Sequence, residues 1–415
     1  MALIDDLQWS LMEYNLDTFE IVIGGSRHPL QKAQVKSIYI EKDFDDLMLP
    51  ILMVSLALPN DLYYEIQKKH KVTTFTIVIS SQKRGKDVGD KPTGKSIYIS
   101  DSFSPMGIDG TPFTNEEEYK KAKKEMTDND SLSMQDLQST HTFVLARQKT
   151  IKQTRKIINK VMVSSNMSDA VGYLLTNSGC SNVLMSRMDN MTKYSELILL
   201  PVPLTEQLAY LNSMYGFYKQ GAQIFFDFDT TYILRNCAKC TAYRGGEIQN
   251  VNFVVYKGSS GKSGDKGSCI YKKQGYINAG TSGAQFHIED QSKSSNAYVG
   301  NNSLILNDDG SASEAITNIE DGYYNIITTT THNQYYTSET ALRLKELKGV
   351  VTMIAPNIDL KLLAPNKHYK ILSDDSTVSK QVNAPFRLSK YSVIFGTEGD
   401  TFSPVATIVL KKTEV

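Results

Sequence analysis

Two aspartates one residue apart stand in the run Phe225-Phe226-Asp227-Phe228-Asp229-Thr230-Thr231. Carboxylates at that spacing, at the end of a buried strand, can do phosphoryl chemistry. Asp227 would be the nucleophile and Asp229 the general acid. A Mg²⁺ ion beside them would need oxygen ligands. The segment 304–309, Leu-Ile-Leu-Asn-Asp-Asp, offers carboxylates, and residues 251–259 offer a hydroxyl.

This arrangement is the DxDxT signature of a haloacid-dehalogenase-type, metal-dependent phosphohydrolase. That enzyme needs a doubly wound sheet, with a helix after the first strand and crossover helices later. Here Tyr232-Ile233-Leu234 continues as β-structure, and the stretch up to Asp308 is rich in Gly, Ser and Asn. The favoured reading is a hairpin strand with two surface aspartates alternating against buried phenylalanines.

Other candidate chemistry is weaker. Residues 258–263, Gly-Ser-Ser-Gly-Lys-Ser, follow a strand, but a phosphate-binding loop needs a glycine where Tyr256 stands and a helix afterwards. Cys237 and Cys240 form a lone CxxC, with only Cys269 and His287 downstream to complete a zinc site, at spacings no common ribbon uses. His28, His70, His141, His287, His332 and His368 are scattered singly, and no serine sits in a nucleophile elbow. Arg147, Lys149, Lys152, Arg155, Lys156 and Lys160 form a basic run without an acid or an interleaved aromatic. It reads as a solvated face or as a strip against an acidic partner, rather than a nucleic-acid site. No catalytic, cofactor or metal residue is assigned, and no enzyme is expected.

The elements around these residues are mostly strands. Phe19, Ile21 and Ile23 alternate before Gly24-Gly25. Lys36–Ile40 and Lys95–Ile99 share the pentapeptide KSIYI, and residues 72–80 alternate again. Residues 47–58 are apolar on both sides, as in a central strand. Asn60 is expected to cap a helix with Leu62 and Ile66 inward. The first ~105 residues therefore suggest a small barrel or curled sheet with one helix on its flank. A charged helix opens at Thr114, where Thr114 and Glu117 spell a capping box. Residues 141–162 read as extended. Ser168 is expected to cap a helix carrying Val171, Leu174 and Leu175, closed by Gly179. Leu204, Leu208, Leu211 and Tyr215 share one face of a further helix that Gly216 stops. Strands are expected at 251–257, 285–289, 303–307, 342–344, 350–354, 358–363, 369–372, 386–395 and 405–411.

Bulk composition fits this plan. The 415 residues are 40% hydrophobic and 22% charged, as in a folded globular chain of several domains. Lysine plus arginine equals aspartate plus glutamate at 45 each, so no whole-molecule attraction to nucleic acid or membrane is indicated. No run reaches the ~18 apolar residues of a membrane span, and the first residues lack the pattern of a secretion signal. Four cysteines do not make a disulfide framework.

The stretch 194–234, YSELILLPVPLTEQLAYLNSMYGFYKQGAQIFFDFDTTYIL, resembles the middle region of baseplate and tail hub proteins from contractile-tailed bacteriophages and related injection systems. The shared features are the Leu-x-x-Leu helix, the turn Tyr215-Gly216-Phe217-Tyr218 and the strand Phe225–Asp229. Residues 386–410 and 18–80 are similar to strands of that family's tube domains. The resemblance implies an α+β, predominantly β chain with two tube-type, β-barrel-like domains, N- and C-terminal, and mixed α/β and all-β insertions between them. The divisions it suggests are an arm at 1–16, a tube-like domain at 17–105 and a peripheral insertion at 106–166. A connecting domain at 167–244, a β insertion at 245–334 and a second tube-like domain at 335–415 follow. It further implies a structural virion protein of the baseplate, assembled in the host cytoplasm. Its homotrimer would adapt a sixfold tail tube to a threefold spike. The implied partners are the tail tube protein, a central spike or tail-tip protein, other baseplate proteins, and the tape measure protein and DNA in the lumen. No cofactor and no membrane insertion are implied.

Overall fold

A computed structural model describes residues 12–83, 93–112, 138–218, 221–235, 249–257, 267–273, 276–278, 285–289, 303–306, 312–314, 325–328, 350–373, 384–398 and 401–412. Several expectations fall outside the described residues: the Thr114 helix, the 258–263 loop, Cys237 and Cys240, Asp308 and Asp309, His332, and a strand at 342–344.

The chain is predominantly β, with four α-helices among the described residues. Its first part holds β1 (Met12–Ile23), β2 (Ser26–Pro29), β3 (Val35–Asp43), β4 (Ile51–Pro59), α1 (Asn60–Lys68), β5 (Thr73–Lys83), β6 (Thr93–Ile108), β7 (Thr111–Pro112) and β8 (Gln138–Arg147). The middle holds α2 (Gln148–Thr154), β9 (Lys160–Ser165), α3 (Met167–Asn177), β10 (Val183–Met185), β11 (Tyr194–Leu199), α4 (Leu204–Tyr215), β12 (Ala222–Phe226) and β13 (Thr231–Arg235). Next come β14 (Gln249–Lys257), β15 (Gly267–Lys273), β16 (Tyr276–Asn278), β17 (Gln285–Glu289), β18 (Ser303–Leu306), β19 (Ala312–Glu314) and β20 (Asn325–Thr328). The last part holds β21 (Val350–Pro356), β22 (Lys367–Ser373), β23 (Pro385–Glu398) and β24 (Thr401–Lys412).

One antiparallel path closes on itself: β1, β5, β6, β8, β4, β3, β23, β24 and back to β1. Closure leaves no free edge within this ring. Alternation sends one residue in two into its interior, and bulges change the parity where needed. On β1, Met12, Tyr14 and Leu16 are buried before the register shift between Leu16 and Thr18, and Phe19, Ile21 and Ile23 after it. On β23, Phe386 and Leu388 precede the shift between Leu388 and Lys390, and Tyr391, Val393 and Phe395 follow it.

The sheet crosses the divisions expected at residues 105 and 335, because β8 and the C-terminal hairpin β23–β24 complete the ring begun by β1. The hairpin then runs on beyond it. β24 pairs with β1 only at Phe402 and takes β21 as its neighbour over Val405–Lys411. β23 takes β22 at its start, and β22 carries β14, β15 and β16. β17 lies outside β21. One apolar core runs through the ring and this extension, joining Ile40, Phe75 and Val393 to Phe253, Met353 and Tyr369.

Local structure corrects several sequence expectations. Pro59 rather than Asn60 occupies the cap of α1, and the Asn60 amide oxygen accepts from Ser139 instead. Ile66 is buried and Leu62 packs against the core, as the helical spacing requires. Residues 141–162 are not continuously extended, since α2 interrupts them. Asn166, not Ser168, caps α3: its side chain accepts from the Asp169 N–H, and the Asp169 carboxylate accepts from the Asn166 N–H in return. Residues 358–363 turn through a short 3-10 segment at Leu360–Leu362 instead of forming a strand.

Candidate functional site: the aspartate hairpin and its charge clusters

Phe225 and Phe226 are fully buried but face different cores. β12 and β13 are an antiparallel pair with Phe225 opposite Tyr232 and Ile224 opposite Ile233. Phe225, Tyr232 and Leu234 join the ring core, where Phe225 meets Phe44 edge-on with centroids 4.6 Å apart. Ile224, Phe226 and Ile233 join a second core built from α3, α4 and the Phe217-Tyr218 turn. The apolar run Ile224-Phe225-Phe226 is what a strand buried on both faces demands, so the hairpin serves as a wall shared by two cores.

The helix before it stops where the sequence indicates. Gly216 leaves α4 with φ +70°, a conformation that favours glycine. The next two aromatics then turn inward. Tyr218 donates to the carbonyls of Ser186 and Ile233, each at 3.0 Å. The buried Asn190 amide donates to the carbonyls of Tyr215 at 2.8 Å and Gly216 at 3.0 Å. The Tyr-Gly-Phe-Tyr motif is thus a packing and hydrogen-bonding device.

Asp227 and Asp229 lie in the turn between β12 and β13, and they part company there. The Asp227 N–H donates to the Thr230 carbonyl at 2.9 Å. Its carboxylate pairs at 2.6 Å with the Lys42 ammonium, whose side chain is only 7% exposed. Lys42 also lies over the rings of Phe228 at 4.8 Å and Tyr391 at 5.5 Å. Burial pushes the Lys42 ammonium down, yet the Asp227 charge outweighs it and holds the group above the ordinary lysine range. Tyr232 beside it is pushed up to about 12, by burial first and by Asp227 second. Asp229 is 81% exposed, 3.5 Å from Arg147, which is itself paired with Asp101. The expectation of two surface aspartates therefore holds for Asp229 and fails for Asp227. A cleft of about 310 Å³ opens beside the pair, lined among others by Lys42, Tyr98, Asp227, Tyr232 and Tyr391.

The arrangement departs from the strand-then-helix setting that the phosphohydrolase signature needs. The carboxylate that would attack is neutralised by a buried lysine, and the strand after it returns antiparallel rather than leading into a helix. Among the described residues no group of three or more His, Cys, Asp or Glu is placed to hold a metal ion.

Two clusters escaped the sequence. Asp45, just after β3, accepts from Arg387 at 2.6 and 3.1 Å, from Ser389 at 2.6 Å and from Lys411 at 2.8 Å. Gln223 of β12 reaches it at 3.3 Å. One carboxylate thereby ties β3, β12, β23 and β24 together. Burial opposes its charge, but Arg387 and then Lys411 prevail and hold the Asp45 carboxyl far below the usual range. No local signal marks Asp45, since Arg387 is 342 residues away. The second cluster joins Asp109 to His141 Nδ1 at 2.8 Å and His141 Nε2 to Ser139 Oγ at 2.6 Å. Tyr63 stacks on the imidazole at 3.6 Å. Its chain spacing is Ser-x-His on one strand face, a signal that counting lone histidines overlooks. The Ser139 hydroxyl also donates to Asn60 at 2.9 Å, so the chain of bonds fastens α1 and the β6–β7 turn to β8.

The closed antiparallel ring, extended by its C-terminal hairpin and walled by a doubly buried β-hairpin, is similar in fold to a solved bacterial tail protein. The tail protein from Neisseria meningitidis MC58 superposes with a TM-score of 0.51 at 9% identity, with 96% of each chain covered. The 43 kDa tail protein of prophage MuSo2 from Shewanella oneidensis gives 0.48 at 13% identity, covering 95% of this chain and 98% of that one. An E. coli type VI secretion component, described as similar to T4 bacteriophage tail proteins, gives 0.40 at 8% identity, covering 95% and 77%. No curated protein matches the sequence. The profile of the bacteriophage PBS1 gene 109 protein family matches residues 12–413, and the chain belongs to that family.

Proposed function

We propose that the protein is a structural hub of a phage baseplate. As a homotrimer it adapts the sixfold tail tube to a threefold central spike and bounds the channel for DNA and the tape measure protein. The observation that carries this reading is the long hairpin β23–β24. On one side it completes the strand ring; on the other it bears β21 and β22, with β17, β14 and β15 beyond them. On this reading each chain would offer two tube-type units that share this hairpin. Three copies would then present six such units around one axis. The tail tube protein would meet one end of this annulus, and a spike or tail-tip protein the other. The central segment 148–235 would face other baseplate proteins.

The role is mechanical. Asp227 and Asp229 hold a turn in place, and no residue is assigned a catalytic, metal or cofactor role. Sedimentation of the purified chain is the test. The reading expects a species of three times the 46.4 kDa chain mass. A monomer that hydrolyses a phosphate ester with Mg²⁺ would favour the phosphohydrolase reading instead.

A further inference from the structure

Ser139, His141 and Asp109 are joined in an order that acyl transfer uses. Ser139 and His141 stand at alternate positions of β8, so their side chains share one face of the strand. The Ser139 Oγ is 2.6 Å from His141 Nε2, and His141 Nδ1 is 2.8 Å from the Asp109 carboxylate. A hydroxyl within reach of a base, with that base oriented by a third group, is the arrangement that activates a nucleophile. Each member is held by a further contact. Asp109 takes φ +47° in the β6–β7 turn. Its N–H donates to the Thr142 carbonyl at 2.7 Å, and its Oδ1 accepts from the Thr142 N–H at 2.8 Å, which leaves Oδ2 to His141. Tyr63 stacks on the imidazole with the ring planes 11° apart. The Asn60 side-chain amide lies 2.9 Å from the Ser139 Oγ.

Proton count decides when the serine is active. A hydroxyl has one proton to give. While Ser139 gives it to Asn60 Oδ1, both ring nitrogens of His141 must donate, Nε2 to Ser139 and Nδ1 to Asp109. That imidazole has no free lone pair and is no base. A half-turn of the Asn60 amide presents Nδ2 to the hydroxyl instead. Ser139 then donates to Nε2 of a neutral imidazole, and every proton in the chain has an acceptor. The Asn60 N–H now stands beside the nucleophile, where the oxyanion of an attacked carbonyl develops. The site is shallow: Ser139 is half-buried, Thr140 is exposed, and the Asp109 side chain is 46% exposed. It suits a small acyl group presented at the surface. An ester fits better than an amide, because an alkoxide departs with less help from an acid than an amine does.

We propose that Ser139 and His141 form a carboxylic esterase site, with Asp109 as the positioning residue. Ser139 Oγ bonds to the ester carbonyl carbon as its proton passes to Nε2. The carbon–oxygen bond to the alcohol then breaks, and the alcohol leaves with that proton. Water attacks the acyl-serine, gives a proton to Nε2, and the acid departs as the proton returns to Ser139. This activity does not depend on the hub reading, and the two stand or fall separately. The test treats the purified full chain with a fluorophosphonate probe, locates the label by peptide mass spectrometry, and follows p-nitrophenyl acetate hydrolysis. Ser139→Ala, His141→Ala, Asp109→Asn and Asp109→Glu are compared after circular dichroism confirms folding, with the exposed Ser100→Ala as control. The expected result is a label on Ser139 and turnover that falls at least ~10²-fold in Ser139→Ala and His141→Ala. Asp109→Asn should lower kcat with KM unchanged, Asp109→Glu should restore part of it, and the control should match wild type. Labelling of the wild type requires no variant to fold. A wild-type chain left unlabelled at Ser139, or turnover that survives Ser139→Ala, overturns the proposal and leaves the cluster as a fastening alone.

Discussion

Replacing Asp45 by alanine should cost more than any exposed charge change in the molecule. The carboxylate is 13% exposed and the Arg387 side chain 4%. Without Asp45, Arg387 loses both of its bonds to this carboxylate and Lys411 loses its contact there. Removing one partner of a buried ion pair costs about 3–5 kcal/mol. The folding equilibrium constant should therefore fall by a factor of roughly 10² to 4 × 10³. An exposed pair such as Asp17–Lys95, at 29% and 62% exposure, gives the reference: Asp17→Ala should cost about 0–1 kcal/mol. Urea denaturation at pH 7 followed by tyrosine and tryptophan fluorescence measures both. The cluster also carries a pH signature. Its carboxyl is held below the unfolded value, which is about 3.9. The stability it contributes is thus fully present above about pH 4 and is lost as pH falls toward the folded value. Wild-type protein should lose more stability between about pH 4 and pH 2 than Asp45→Asn, which has no such proton to bind. An Asp45→Ala cost below that of Asp17→Ala, or identical acid curves for wild type and Asp45→Asn, would refute the clamp.

Further outcomes follow from the hairpin. Lys42→Met should destabilise by about 3–5 kcal/mol because it strands Asp227, whereas Lys42→Met/Asp227→Leu should come within about 1 kcal/mol of wild type or exceed it. A double variant as unstable as the single one would contradict the pairing. Phe225→Ala, which empties a fully buried site against Phe44, should cost about 3–5 kcal/mol in the same denaturation assay. Gly216→Ala should cost about 1 kcal/mol through its left-handed φ, read as a lowered thermal midpoint. Asp227→Asn and wild type should show the same background turnover of p-nitrophenyl phosphate with Mg²⁺. A wild-type rate that the substitution abolishes would restore Asp227 as a nucleophile.

Strands were legible where one face is wet. The alternation of Phe19, Ile21 and Ile23, or of Phe75, Ile77 and Ile79, is a local property, and the strands formed where it occurs. Closure of the ring was not legible. β1 and β24 meet at Tyr14 and Phe402, and the Tyr14 hydroxyl reaches the Ile358 carbonyl across 344 residues. No periodicity encodes a contact of that span. Cap positions slipped by a residue or two for a physical reason. At α3 both Asn166 and Ser168 are good capping types, and the reciprocal bond with Asp169 selects Asn166. The hairpin was legible as a hairpin because every residue from Ile224 to Phe226 is apolar. The fate of Asp227 was not, since Lys42 is supplied by a strand nearly two hundred residues earlier and its spacing to the aspartate carries no meaning in the sequence.

The central claim is that each chain supplies two units of a common annulus through one shared hairpin. Electron cryomicroscopy of the purified assembly, averaged without imposed symmetry, tests it most directly. The account predicts a threefold particle whose central ring shows six similar lobes around an open channel, with β23–β24 bridging lobes of the same chain. A particle with three lobes, or one whose ring is built elsewhere than from these strands, would contradict it.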